Sequence, residues 1–233
     1  MSWTTVIRTS LFAVLISACA LRATATAPYT ENFATDVANW GDNPGNLLTY
    51  VPSGGPDGSS YASTTQSGFG MAEGTRITLF RGQNNFNSSN HAFEGDWLTS
   101  GIVEFSHYVR HTAPIALPFW VRFATPNNFP GVGGDLFTVV QPNTWTKLTY
   151  TISASQINQT LFPEGPPSFF GSTFMNIGRI QIGYTMPAGF STDPNSYTFG
   201  IDQPSIATPE PASWLLAVGC VVAGLTGRRS RNG

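Results

Sequence analysis

Three groups of residues in this sequence could do chemistry. Glu104, His107 and His111 form an E-x-x-H-x-x-x-H string, which carries the donor types of a zinc site. On a helix, residues four apart share a face and could chelate one ion together. The surrounding GIVEFSHYVRH instead alternates, with Val103, Phe105, His107, Val109 and His111 on one side, which is the pattern of a strand. Four residues along a strand cover roughly 13 Å, too far for one metal to take both imidazoles. The expectation is therefore a pair of surface or half-buried histidines. Glu94 and Asp96 flank Gly95 and offer a carboxylate pair, but a glycosidase needs its two carboxylates set across a cleft. Serine nucleophile elbows, P-loops, HExxH strings and dinucleotide fingerprints are absent, so no catalytic residue is assigned.

The third group suits binding. Trp120 and Arg122 alternate with Phe119, Val121 and Phe123, so if the phenylalanine side is core, Trp120 points outward. An outward Trp120 offers a sugar ring its flat face, and Arg122, Lys147, Arg179 and Gln181 could hydrogen-bond hydroxyls from neighbouring strands. The alternative is a Trp120 packed between sheets or under a loop.

These residues are positioned by strands. Ile115–Phe123, Lys147–Ile152, Arg179–Tyr184 and Tyr197–Asp202 each alternate apolar and polar residues, and no stretch holds a 3.6-residue period. PDGSS, TPNNFPGVGG and PEGPPS are turn or loop chemistry. One-sided strands at this length predict an all-β chain with an antiparallel β-sandwich, a single domain over residues 28–206. Charge is sparse, at 10% of residues against about 25% in ordinary soluble proteins. The body holds six basic residues against twelve acidic ones and no basic run, which argues against nucleic acid as a partner. Its polar surface falls to Ser, Thr, Asn, Gln and Gly. Both cysteines, Cys19 and Cys220, lie outside the body, so it offers no disulfide, thiol nucleophile or cysteine metal ligand.

The two ends have a different character. Residues 1–25 read as a signal peptide: Arg8 supplies the positive start, Leu11 to Leu21 the apolar run and ATATA the small residues, with signal-peptidase cleavage after Ala25. A second reading is the ISAC string at Ile16–Cys19, which resembles a bacterial lipobox and would make Cys19 a lipidated N-terminus. Residues 207–233 carry Pro209, Glu210 and Pro211, then an uncharged apolar run at about 212–227, then Arg228, Arg229 and Arg231. As a helix that run spans roughly 24 Å, short of a typical core of about 30 Å but able to cross with snorkelling arginines and local thinning. The arginines belong on the cytoplasmic side, which leaves the body outside. This ordered tail resembles the PEP-CTERM sorting signal. The resemblance implies export across the inner membrane, transient anchoring by a single transmembrane helix, and processing near the triplet by an exosortase in exopolysaccharide-producing Gram-negative bacteria.

The opening YTENFATDVANWGD, the WTKLTYTIS strand and the closing SYTFGIDQPSI resemble jelly-roll domains of the carbohydrate-binding-module kind. That resemblance implies Phe33 and Trp40 as core, and Glu31 and Asp202 as ligands of a structural Ca²⁺; two solvated carboxylates are the alternative. Together these readings lead to an exported surface or extracellular-matrix protein with a non-catalytic body associated with exopolysaccharide. A carbohydrate-binding module with a specific glycan is the second reading, and a glycoside hydrolase the third.

Overall fold

The structure is a computed structural model that describes residues 25–67, 71–190 and 192–209. Its strands begin with β1 (Tyr29–Thr30), β2 (Thr49–Val51), β3 (Tyr61–Ser67) and β4 (Arg76–Gln83). They continue with β5 (Glu104–His111), β6 (Leu117–Ala124), β7 (Gly131–Val140) and β8 (Thr146–Thr151). Then follow β9 (Leu161–Pro163), a short helix α1 (Phe169–Phe174), β10 (Arg179–Thr185) and β11 (Ser196–Ala207).

The strands make two antiparallel sheets. One runs β2-β3-β11-β5-β8, with β1 also paired to β11, and the other runs β4-β10-β6-β7-β9. The chain crosses between them repeatedly, so β3-β11-β5-β8 faces β4-β10-β6-β7, the strand order of a jelly roll. This is the antiparallel sandwich that the alternation predicts. β6 buries Leu117, Phe119, Val121 and Phe123, while β10 buries Ile180, Ile182 and Tyr184. From the other sheet, β5 contributes Phe105 and Val109, and β11 contributes Phe199 and Ile201. Aromatic rings interlock between the layers: Phe105 meets Phe123 edge-on at 5.3 Å, and Trp97 meets Phe123 at 5.4 Å. Such pairs add about 0.5–1.5 kcal/mol each beyond burial. Phe33 and Trp40 are fully buried, as the module resemblance implies, and the indole N–H of Trp40 donates to Ser89 Oγ at 2.9 Å.

Three local readings are corrected. The stretch TPNNFPGVGG is only partly a loop, since Gly131–Gly134 belong to β7. Side chains crowd these positions: a Cβ on Gly134 would meet Val121 and Tyr150, and one on Gly131 would meet Arg122 and Glu164. Glycine here serves close approach, not turning. β6 starts at Leu117 and not at Ile115. His107 and His111 do lie on strand β5 and face inward as the alternation predicts, but both are fully buried, not at the surface.

Cys19, Glu210, Pro211, Arg228, Arg229, Arg231 and the apolar run of the tail lie outside the described residues, and Pro209 is exposed at their border. Among the described residues no helix is long and apolar enough to cross a membrane. Ala25, where signal-peptidase cleavage is expected, is buried against the core, and the next residue, Thr26, donates its N–H to Ala92 O at 3.2 Å.

Candidate ligand-binding face

The outer face of the five-stranded sheet gathers most of the residues expected to bind. β6 and β10 are neighbours in a register that sets Arg122 beside Gln181 and Trp120 beside Gly183, with Arg179 two residues along. Strand alternation turns these side chains away from the core. Lys147 is not among them. It sits on β8, opposite Tyr108, and β8 is the edge of the other sheet. Strand order, which a single sequence does not encode locally, separates it from the rest.

The arginines on this face act as braces. Arg122 Nε and Nη2 bind the two carboxylate oxygens of Glu164, a bidentate pair across from β9. Its Nη1 donates to Asn128 Oδ1 at 2.8 Å and to Gln181 Oε1 at 3.5 Å, and Nη2 also reaches Asn128 O at 2.7 Å. Gln181 in turn donates Nε2 to Asn128 Oδ1 at 3.3 Å. Arg179 donates Nε to Pro126 O at 2.9 Å and Nη1 to Gln83 Oε1 at 3.4 Å. These groups hold the 125–130 turn to the sheet, and their donors are taken up by protein rather than left for sugar hydroxyls. Of the two readings of Trp120, the packed one holds. It is 3% exposed, covered by the guanidinium of Arg76 at 5.6 Å from the ring centroid, so no sugar can stack on it. Its ring fits because residue 183 has no side chain: a Cβ there would meet both Trp120 and the Ile77 carbonyl.

Two other rings on this side are open to solvent. Phe129, in the β6–β7 turn, is 57% exposed, and Phe137, on β7, is 70% exposed. Each meets a second ring edge-on: Phe129 with Phe169 of α1 at 5.2 Å, and Phe137 with Phe162 of β9 at 6.2 Å. Phe137 adopts a left-handed φ of 56°, at a point where the β6–β7 register shifts, and its N–H is held by Asp135 Oδ1 at 2.8 Å. That backbone conformation costs a non-glycine residue about 1–2 kcal/mol. A solvent-exposed ring held in a strained conformation is a feature that core packing does not require. Sequence reasoning missed both rings; the available signals were Phe beside Pro in N-N-F-P and Phe two residues after Asp in D-L-F.

The remaining candidates separate from this face. Asp202 lies on the outer side of the six-stranded sheet, fully buried beneath the 55–60 loop. Ser59 Oγ donates to its Oδ2 at 3.1 Å and Gln203 N to its Oδ1 at 2.8 Å. Burial pushes its pKa up to about 6, reinforced by the negative charges of Asp57 and Glu31. Glu31 accepts from Phe33 N at 3.0 Å and Tyr29 OH at 2.9 Å. The two carboxylates supply hard oxygens and uncompensated negative charge, which suits Ca²⁺. Among the described residues no third His, Cys, Asp or Glu joins them in a metal-binding group, so backbone oxygens would have to complete the coordination.

His107 stacks on Tyr150 at 6.0 Å inside the core, and burial pushes its pKa down to about 3, so it stays neutral. His111 is bonded to the Val140 carbonyl at 2.9 Å. Asp96 caps a turn, accepting from Thr99 N and Thr99 Oγ1 at 2.9 Å each, while Glu94 pairs with His91 at 2.8 Å.

No protein-family model matches the chain, and no curated protein matches it. Among solved structures it is similar to an exo-beta-agarase, at 9% identity and a TM-score of 0.50, over 81% of this chain and 26% of that one. It is also similar to the family 11 carbohydrate-binding module of a cellulosomal cellulase of Clostridium thermocellum, at 14% identity and 0.45, over 79% of this chain and 96% of that one. A third is the module pair of the Clostridium thermocellum xylanase 10B complexed with xylohexaose, at 13% identity and 0.46. The chain covers 79% of its own length in that match and spans 29% of the xylanase chain. At such identities the agarase likeness concerns the fold alone, and it agrees with the jelly-roll order of the strands.

Proposed function

We propose that this is an exported surface or matrix protein, sorted by an exosortase through its PEP-CTERM-like tail, whose non-catalytic jelly roll associates with extracellular polysaccharide. The observation that carries the binding part is Phe137, held 70% exposed at a strained φ of 56° beside Phe162 and on the same side as the exposed Phe129. Apolar rings lining a polar, charge-paired face suit the C–H faces of pyranose rings, and the sparse charge of the chain suits a neutral, hydroxyl-rich partner. The non-catalytic reading is supported by the commitments of Glu94 and Asp96 to His91 and a turn cap. A structural Ca²⁺ at Glu31 and Asp202 belongs to the same reading.

Affinity electrophoresis of the full chain in gels containing neutral β-glucan, xylan or agarose tests the binding. Retardation in at least one gel is expected, and the double substitution Phe137→Ala with Phe162→Ala should abolish it. Unchanged retardation, or none in any neutral polysaccharide, refutes the binding face. For the tail, the product's mass is compared in cells with and without an exosortase. Loss of the arginine-terminated segment only where the enzyme is present is expected; an intact tail in both defeats the sorting proposal.

A further inference from the structure

The opposite face of the molecule holds an arginine with no counter-charge. Arg110, on β5, points outward from the six-stranded sheet beside Gly200 of β11. It lines a cleft of about 260 Å³ with Tyr61, Thr112, Thr198 and Gly200. No carboxylate lies within ion-pair distance of it among the described residues, and its Nε is buried without a hydrogen-bond partner. What bears on a ligand is the missing counter-charge: a cleft-lining guanidinium that no protein carboxylate offsets keeps its positive charge for an anionic group.

Tyr61 is the aromatic wall of the cleft, and it packs on Trp145, which does not itself line the cleft. Tyr61 and Trp145 meet edge-on at 5.1 Å, and both rest over Gly200, where a Cβ would come within 2.8 Å of Trp145 and 3.1 Å of Tyr61. The indole N–H of Trp145 donates to Gly54 O at 2.8 Å, which ties it to the 52–60 loop and fixes the ring. Lys147, cross-strand from Tyr108 and diagonal to Arg110, adds a second exposed cation. Asp202 lies on this same face, but its carboxylate is turned under the loop to Ser59. Thr112 and Thr198 supply hydroxyls at the other end, Thr112 Oγ1 accepting from Thr198 N at 2.9 Å.

We propose that this cleft binds a carboxylate-bearing sugar, one uronate unit of an acidic polysaccharide, with Arg110 on the carboxylate and Tyr61 against the ring. With Nε buried, the two terminal nitrogens of the Arg110 guanidinium form the fork that would receive a carboxylate in bidentate fashion. A cleft of about 260 Å³ lies below the size that encloses a drug-sized ligand, which matches a single sugar unit of a longer chain. The site stands apart from the neutral-polysaccharide reading above, because it uses the other sheet and none of the same residues.

Isothermal titration of the full chain in mild detergent with trigalacturonate tests it, with the trimer's methyl ester as the uncharged control. Binding is expected to weaken on raising the salt, and the ester should bind at least about tenfold more weakly, the loss of one charge-assisted pair. Arg110→Gln should lose the same factor while leaving the melting temperature within a degree or two of wild type. Phe137→Ala should bind trigalacturonate unchanged. Equal affinity for acid and ester, an unaffected Arg110→Gln, or absence of trigalacturonate binding overturns the proposal. Loss of binding in Phe137→Ala would move the uronate to the other face and overturns it equally.

Discussion

Arg122 and Arg110 both point outward from one sandwich, on opposite sheets, Arg122 beside Gln181 of β10 and Arg110 near the end of β5 beside Gly200 of β11. Their surroundings differ completely. Arg122 is gripped by Glu164, Asn128 and Gln181, so its charge and its donors are spent holding a turn to a sheet. Arg110 has no such partner and borders open space. The comparison teaches that an arginine on a strand's polar face is a brace or a binding group according to whether a carboxylate sits across from it. Residue type and alternation do not decide this; the neighbouring strand does.

The glycines opposite the tryptophans break the comparison most sharply. Gly183 lies under Trp120 on the five-stranded sheet, and a Cβ there would collide with the Ile77 carbonyl oxygen, a backbone atom that cannot swing away. Gly200 lies under Trp145 on the six-stranded sheet, and a Cβ there would meet only ring atoms of Trp145 and Tyr61. Gly183→Ala should therefore destabilise by about 3 kcal/mol or more, and Gly200→Ala by about 1 kcal/mol. Urea denaturation of both variants measures this. Equal losses would mean that the two faces respond alike and that the backbone approach at Gly183 is not limiting.

Much of the fold was legible because alternation survives in strands that are buried on one side. Leu117 to Phe123, Arg179 to Tyr184 and Tyr197 to Asp202 declared their inner and outer residues correctly, and Phe33 and Trp40 were rightly expected in the core. The glycine-rich start of β7 was hidden, since Gly131 and Gly133 have no side chain with which to show a period. β3 was hidden too, because YASTTQS is polar along most of its length. The site was harder. Arg122, Arg179 and Gln181 were placed on one face, but their mutual bonds depend on Glu164 and Asn128, which reach them only through the order of strands and the 125–130 turn. Lys147 was misassigned for the same reason, as β8 and β6 belong to different sheets. Alternation encodes which face a side chain takes; its lateral neighbours are set by strand order and by the 125–130 turn.

The smallest effect expected concerns two buried titrating groups, one at the core and one at the outer face, which pull stability in opposite directions. His107 is held neutral, with its pKa pushed down to about 3, so the unfolded chain binds the extra proton as pH falls below about 6.5. That makes stability fall on acidification; His111, whose pKa burial also lowers, acts in the same sense. Asp202 behaves oppositely. With its pKa pushed up to about 6, the folded chain binds the proton first, so stability rises as pH falls from about 6 towards the ordinary carboxylate value of 3.8. Glu94, raised by burial, adds to this. In wild type the opposed slopes offset one another, and the melting temperature should change little between pH 4 and pH 6. Asp202→Asn removes one side of the opposition while keeping the shape, and its melting temperature should drop steadily over the same interval. Parallel profiles for the two proteins would mean that Asp202 titrates like a solvated carboxylate, and the contrast between a neutral core and a charged loop-covered face would lose its footing.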